Sequence, residues 1–333
     1  MNRKLSLFIA LTLLLIASVI FLSINLQHFW QEEKHSVTIA VSKTPLSSPF
    51  YVAKAINAFK NTCVDVKFDN VVGGQKAFAK VIAGDVDFGT SSDSVIAFQS
   101  LSNQPFVTHA VFVQSDNDVK LITRQADNIN SVLSLKGKKI GVTKSTASEY
   151  FLSTLLAIEG LNVEDVELIN YEPELLIDGL TGNEVDAITP WEPFAFQSKQ
   201  LFNEKLAIHD TKNLNTLSFN LISLTPDIQR LEKAKCVLQG LNTAIDYIAS
   251  NPKEAKNIVI NELGITSEFI NWVWPDYIFK LELNQSLLLN LKSQASWLAE
   301  IHFTTLDELP NINRFVDSRA MLQINPNAVN IPQ

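Results

Sequence analysis

Cysteine occurs only twice in the 333 residues, at Cys63 and Cys236. Neither belongs to a Cys-x-x-Cys pair, so their spacing matches no thiol redox motif and no metal knuckle. A single disulfide and two buried thiols both fit the two positions. The five histidines, His28, His35, His109, His209 and His302, have no metal-ligand spacing. The chain contains no Gly-x-Ser-x-Gly elbow and no Gly-x-x-x-x-Gly-Lys-Ser/Thr phosphate loop. No catalytic residue, metal ligand or cofactor site is therefore expected. Basic residues are outnumbered, with 27 Lys and Arg against 35 Asp and Glu and a net charge of −8. That balance argues against nucleic acid as a partner, which would want a basic surface. Low-complexity runs and repeats of solenoid period are also missing.

One long apolar segment is present. Leu5 to Leu26 carries no charged side chain and follows Arg3 and Lys4. As a helix it would be about 33 Å long, enough to cross a hydrocarbon core of about 30 Å. The preceding basic residues would keep the short N-terminus in the cytoplasm and place the rest outside. No Ala-x-Ala site follows, so the length favours an uncleaved anchor over a cleaved signal peptide. No Cys follows either, which excludes a lipoprotein anchor. The polar residues His28 to Ser36 read as a tether.

Beyond the tether the chain writes one phrase twice. Gly84-Asp-Val-Asp-Phe-Gly89 and Gly182-Asn-Glu-Val-Asp-Ala187 each follow a helical stretch, Gln75 to Ala83 and Glu174 to Thr181. Each leads into a short polar loop, Thr90–Asp93 and Thr189–Glu192. Helix, tight turn, buried strand and polar loop make half of a parallel α/β unit. Two such units predict two similar lobes, with a small ligand bound between the carboxyl ends of their strands.

The remaining pattern agrees. Strands are expected at Val37–Val41, Val64–Phe68, Pro105–Val113, Val166–Ile169 and Val185–Ile188. Helices are expected at Phe50–Lys60, Glu149–Glu159 with Gly160 as the terminating glycine, and Pro173–Thr181. Asp93 is expected to cap the helix running to Ser100. From Thr225 onward only helices are predicted, over Ile228–Ala249, Pro252–Leu263, Ser267–Trp274 and Asn284–Ile301. The tail from Asn311 is expected to wrap the surface.

Three segments carry a family resemblance: Gly84-Asp-Val-Asp-Phe-Gly89, Leu135-Lys-Gly-Lys-Lys-Ile-Gly-Val142 and Asp186-Ala-Ile-Thr-Pro-Trp-Glu-Pro193. In this order, with the C-terminal helices and Asn313-Arg-Phe-Val-Asp317, the chain from about Val37 onward resembles the periplasmic substrate-binding proteins of ABC transporters for nitrate, sulfonates and taurine. Pyrimidine-binding proteins of thiamine precursor uptake share the signature. The resemblance implies an α/β, two-lobed periplasmic-binding-protein type II fold. In that fold two Rossmann-like lobes are joined by two crossing strands, here with an N-terminal transmembrane helix in front. Residues 1–35 would be anchor and tether, 36–117 with 223–333 lobe I, and 118–222 lobe II. Hinges are expected near Gln114–Lys120 and Leu217–Leu224. A fungal enzyme similar to this family builds the thiamine pyrimidine from its own active-site histidine and carries a Cys-rich stretch. That stretch has no counterpart here, so a binding protein rather than an enzyme is expected.

Four loops should meet at the ligand. They supply Thr44, Ser47 and, just past the first loop, Tyr51; Thr90, Ser91 and Ser92; Lys144, Ser145, Thr146 and Ser148; and Trp191 with Glu192. Hydroxyls and helix N-termini favour an anionic oxygen cluster, and Trp191 could lie on an apolar or aromatic part of the ligand. Lys43 and Lys144 are the only cations in these loops. A small anion or zwitterion such as an organosulfonate is the favoured ligand over nitrate or bicarbonate, and Trp191 with Tyr51 leaves a planar pyrimidine as the alternative. An inner-membrane permease is the favoured protein partner, with a signalling partner as the alternative, and the protein is expected to be a monomer. Asp85, Asp87, Glu184 and Asp186 are expected to fix the turns and strands rather than to touch ligand.

Overall fold

A computed structural model of the protein describes residues 34–102, 104–301 and 309–331. The apolar segment Leu5–Leu26, expected to be a membrane anchor, lies outside these residues. Among the described residues no helix is long and apolar enough to cross a membrane. Residues 36–333 form one compact unit built on two sheets.

The strands in chain order are β1 (His35–Ser42), β2 (Val64–Val71), β3 (Phe88–Ser92), β4 (Phe106–Ser115), β5 (Ile122–Arg124), β6 (Lys139–Val142), β7 (Glu167–Asn170), β8 (Ala187–Ile188), β9 (Leu206–Ile208), β10 (Leu217–Leu224), β11 (Tyr277–Asn284) and β12 (Val329–Asn330). The larger sheet has the order β12-β11-β4-β10-β3-β1-β2, and the smaller β7-β6-β8-β5-β9. All five small-sheet strands fall between Ile122 and Ile208, so the chain leaves the large sheet after β4 and returns at β10. β1 runs parallel to β3, and β6 runs parallel to both β7 and β8. β10 runs antiparallel to β3 and β4. β4 and β10 are buried along nearly their whole length because both faces are covered, and their polar members, among them Thr108, His109, Ser218, Asn220 and Ser223, are buried with the rest.

The repeated phrase closes both sheets in the same way. The Asp87 carboxylate accepts the Thr38 N–H at 2.9 Å, and its own N–H donates to the Thr38 carbonyl at 2.9 Å. Asp186 does the same with Lys139, at 2.9 Å and 2.7 Å. Each aspartate locks the start of a central strand to its parallel neighbour, and each has a cation beside it, Lys233 or Arg124. The turns differ. In the first copy Gly84 takes the left-handed conformation, φ 77°. In the second, Gly182 is right-handed and Asn183 takes φ 58° instead. Asn is one of the few residues that tolerate this region, because its short amide can bond locally.

Helices cover the sheets: α1 (Ser48–Ala55), α2 (Gly74–Ala83), α3 (Asp93–Leu101), α4 (Ala147–Ile158), α5 (Leu176–Thr181), α6 (Phe194–Phe202), α7 (Ile228–Ser250), α8 (Pro252–Leu263), α9 (Ser267–Val273), α10 (Gln285–Ile301) and α11 (Arg319–Ile324). Gly160, at φ 73°, follows the last turn of α4 as expected. The cap of α3 is Ser92, not Asp93. Ser92 has the extended backbone a cap requires and accepts the Val95 N–H, while Asp93 is already the first helical residue. The expectation of helices alone after Thr225 also fails, because β11 joins β4 antiparallel and β12 joins β11. The main core extends from Phe50, Phe88 and Phe112 under the large sheet to Val142 and Leu152 under the small one. A second cluster, including Ile122, Leu180 and Ile188, fills the other face of the small sheet.

Cys63 and Cys236 form a disulfide between the turn before β2 and helix α7, with Cα atoms 5.7 Å apart.

Candidate functional site

Parallel strands place their following loops side by side, so each sheet brings two of the predicted loops together. In the large sheet these loops follow β1 and β3. Thr44 caps a short turn, accepting the Leu46 N–H, and Pro45 opens that turn. Thr90 Oγ1 accepts the Ser42 N–H at 2.9 Å and donates to Ser42 Oγ at 3.1 Å. The Tyr51 hydroxyl donates to the Ser42 carbonyl at 3.2 Å, and burial pushes its pKa up. Ser91 Oγ donates to the Gly74 carbonyl at 3.4 Å. Ser47 Oγ is buried and lacks a partner among the described residues.

The small sheet repeats the arrangement after β6 and β8. Thr146 caps α4, accepting the Ser148 N–H and donating to the Thr143 carbonyl. Ser148 Oγ accepts the Thr143 N–H and lies 2.8 Å from Thr189 Oγ1. Ser145 is half-buried, with φ 60°, and its N–H donates to Glu149 at 2.7 Å. The backbone N–H of Lys144 donates to Asn170 Oδ1. Trp191 is half-buried and pairs antiparallel with Val119, so the loop after β8 is stitched to the segment leaving the large sheet. Two further backbone bonds support this seam, Lys120 N–H to the Pro190 carbonyl and Glu192 N–H to the Asp118 carbonyl. The Glu192–Pro193 peptide is cis.

The two sheets meet through their helices. α3 and α4, which begin directly after Ser92 and Thr146, pack on each other. Tyr150 of α4 makes an edge contact with Trp297 of α10 at 5.2 Å. On the other flank Glu192 accepts the Trp272 indole N–H at 2.7 Å and the Phe196 N–H at 3.0 Å. Phe196 of α6 packs on Phe269 and Trp272 of α9. Glu192 is thus a strut between α6 and α9, a role its sequence position did not reveal.

Two clusters of buried polar groups brace this junction, and sequence reasoning missed most of their members. Asp93 is 1% exposed. Its carboxylate accepts the Ser94 N–H at 2.8 Å, the Ser218 N–H at 3.2 Å and the Asn290 amide at 2.7 Å. Burial pushes its pKa up to about 7, against the pull of these donors. The second cluster surrounds Glu192. Asp118 accepts the Tyr277 hydroxyl at 2.9 Å, and Lys120 donates to the Asn117 carbonyl. The Lys199 ammonium lies 4.0 Å from the Trp272 ring centre. Asp276 accepts from Asn117 and pairs with Lys212 at 2.6 Å. A cavity of about 380 Å3 opens beside it, lined by Asn117, Lys120, Lys199, His209 and Trp272 among others. The available signal was the aromatic run Phe269-Ile-Asn-Trp-Val-Trp274, too dense for an ordinary short surface helix.

Burial pushes Glu192 up to about 7 and Asp118 up to about 6, while it lowers Lys120. A carboxyl with a raised folded-state pKa holds its proton where the unfolded chain has lost it. Its contribution to stability is therefore complete below the unfolded value and is lost as pH rises through the folded one. For Glu192 that window runs from 4.5 to about 7, with a slope of at most about 1.4 kcal/mol per pH unit. Thermal midpoints are expected to fall across this window. Glu192→Gln should flatten the slope, and an unchanged slope in that variant would refute the assignment.

With this geometry in view, the relatives become informative. The family described as NMT1/THI5 like matches residues 44–255, more than half of the chain, and the chain belongs to that family. A putative binding protein of Brucella abortus is 24% identical over 143 residues, which are 42% of this chain and 45% of the relative. The chain therefore matches about half the length of that relative. The taurine-binding periplasmic protein of Escherichia coli is 24% identical over 162 residues, 48% of this chain and 50% of the relative. The crystal structure of the periplasmic aliphatic sulphonate binding protein of Escherichia coli superposes with a TM-score of 0.72 at 16% identity, covering 85% of this chain and 92% of that one. The fold is that two-sheet α/β architecture of periplasmic binding proteins, as the sequence resemblance implied.

Proposed function

We propose that the protein is an extracytoplasmic solute-binding protein of an ABC importer. It captures a small anionic or zwitterionic solute of the sulfonate or taurine type by closing its two lobes. The observation that carries this reading is the packing of α3 on α4. Each helix starts at a predicted loop, and this packing supports the reading that two hydroxyl-rich strand ends, one from each sheet, face the same ligand. Ser47, Lys144, Ser145 and Trp191 are the residues assigned to the ligand. Thr44, Tyr51, Thr90, Ser91, Ser92, Thr146, Ser148 and Glu192 already have side-chain hydrogen bonds within the protein and are assigned to shaping the site. The names of the taurine-binding and sulphonate-binding relatives support the choice of ligand class.

Residues 116–121 and 209–216, which join the sheets, are assigned as the hinges; Leu217–Leu224, expected to be one of them, is strand β10 within the large sheet. A ligand that touches both lobes only in the closed form shifts the population toward closure. The apolar N-terminal segment would keep this monomeric receptor beside its permease and raise their effective concentration. The test is a thermal-shift panel of taurine, ethanesulfonate, a hydroxymethylpyrimidine and nitrate. A ligand at a hundred times its Kd stabilises by about 2.7 kcal/mol, a rise of about 5 °C for a protein of this size. Taurine or the sulfonate should give that rise and reduce the radius of gyration in scattering. A response to the pyrimidine alone would replace the ligand class, and no response from any of the four would remove the proposal.

A further inference from the structure

The turn before β2 and helix α7 bring together a set of groups that solute binding does not use. Cys63 Sγ, Cys236 Sγ and a carboxylate oxygen of Glu232 all lie within 4.8 Å of one another. Glu232 and Cys236 are four residues apart on α7, so they share one face of the helix. Cys236 is 3% exposed, while Cys63 and Glu232 are only half-buried, which leaves the set open to solvent on one side. Glu232 otherwise pairs with Lys235, one turn along the same helix.

The turn that carries Cys63 is seated independently of the disulfide. A Cβ placed on Gly240 of α7 would come within 2.3 Å of the Phe59 ring, so that ring rests directly on the helix backbone. Phe59 is 8% exposed and makes an edge contact with Phe68 of β2 at 6.5 Å. Breaking the disulfide would therefore leave the two sulfurs near each other. They need part only to about 3.8 Å, the separation of two thiolates on a tetrahedral zinc with Zn–S bonds of about 2.3 Å.

We propose that Cys63, Cys236 and Glu232 form a zinc site when the disulfide is reduced. Two soft thiolates with one carboxylate select zinc over harder cations, and water completes the tetrahedron. The steps balance. A phosphine and water convert the disulfide to two thiols and become the phosphine oxide. Zinc then displaces one proton from each thiol and takes the Glu232 carboxylate from Lys235. The metal ties the turn to α7 in place of the covalent bond, so the same staple exists in both redox states.

The full-length protein, reduced with a phosphine and freed of excess reagent, is titrated with zinc against a chromophoric chelator. The reduced protein should take up one zinc per chain and release two protons, and its melting midpoint should rise. The oxidised protein should take up none at this site. Cobalt in place of zinc should give the thiolate charge-transfer band in the near ultraviolet. Glu232→Gln keeps both sulfurs and should weaken zinc uptake by about tenfold or more, and Cys236→Ser should abolish the cobalt band. Equal uptake by the oxidised and reduced proteins, uptake unaffected by Cys236→Ser, or a reduced chain that unfolds even with zinc present would each overturn the proposal.

Discussion

Replacing Cys63 with serine is expected to lower the thermal midpoint by about 10 °C, the largest effect of any single substitution considered. The bond to Cys236 closes a loop spanning 173 positions of sequence. Cross-linking so long a loop removes conformational entropy from the unfolded chain, and the loop-closure relation gives about 5 kcal/mol for this length. The effect acts mainly on the unfolded state, so the folded variant should keep its helical content and ligand response below the new midpoint. Calorimetry of the oxidised protein, the reduced protein without metal and Cys63→Ser should give one common lower midpoint for the last two. If all three melt together, the disulfide adds no net stability. The sulfurs tie together two segments far apart in sequence, the start of β2 and α7. α7 in turn packs on α1, so the loss is expected to be global rather than confined to one turn.

Asp93→Ala is expected to follow, with a loss of about 3 kcal/mol or more. The carboxylate is the common acceptor for the Ser94 and Ser218 N–H groups and the Asn290 amide. These donors come from α3, β10 and α10. Truncation leaves them buried beside a small void, and each unsatisfied donor costs about 1–3 kcal/mol. Asp93→Asn keeps one acceptor oxygen and should cost much less. The pH dependence separates the two contributions. With its pKa raised to about 7, the protonated carboxyl is the better-tolerated buried form below that value, and the stability it contributes is lost as pH rises through about 7. Asp93→Asn, which cannot ionise, should therefore approach the parent protein most closely at high pH. Denaturant melts at pH 5.5 and 8.5 decide the matter. A substitution to alanine that leaves both melts unchanged would show that the three donors find water instead.

Asp93 also marks a boundary between what local sequence shows and what it hides. As a polar residue ahead of an apolar run it reads as a helix cap, yet Ser92 takes that place and Asp93 points instead to strands and helices more than a hundred positions away. Cap preference is a local rule, and it cannot choose between two adjacent candidates when one of them has a distant use. Glu192 hides its role for the same reason. Its partner Trp272 lies 80 positions along the chain. β11 failed differently. Tyr277-Ile-Phe-Lys-Leu-Glu-Leu-Asn284 does alternate, with Ile278 exposed at 62% and Leu281 and Leu283 buried, so the signal of period two was present. The surrounding helices masked it. By contrast the duplicated Gly-polar-acidic-Val-Asp phrase was legible because its physics is short-ranged. A turn, a strand start and one carboxylate bonded to a neighbouring strand recur in both copies, and Asp87 and Asp186 play matching parts.

From its residues alone the chain determined that it would alternate helices and strands, that it would do so in two related halves, and that hydroxyl-rich loops would follow the central strands. Those properties depend on hydrophobic period, turn chemistry and capping, which act over a few residues at a time. The tertiary structure alone decided which hydroxyls are spent on holding the loops. It also decided that buried carboxylates rather than apolar contacts alone brace the meeting of the halves, and that two distant cysteines become bonded. Those outcomes depend on which remote atoms are brought within hydrogen-bonding or bonding reach, and separation along a chain carries no information about such distances.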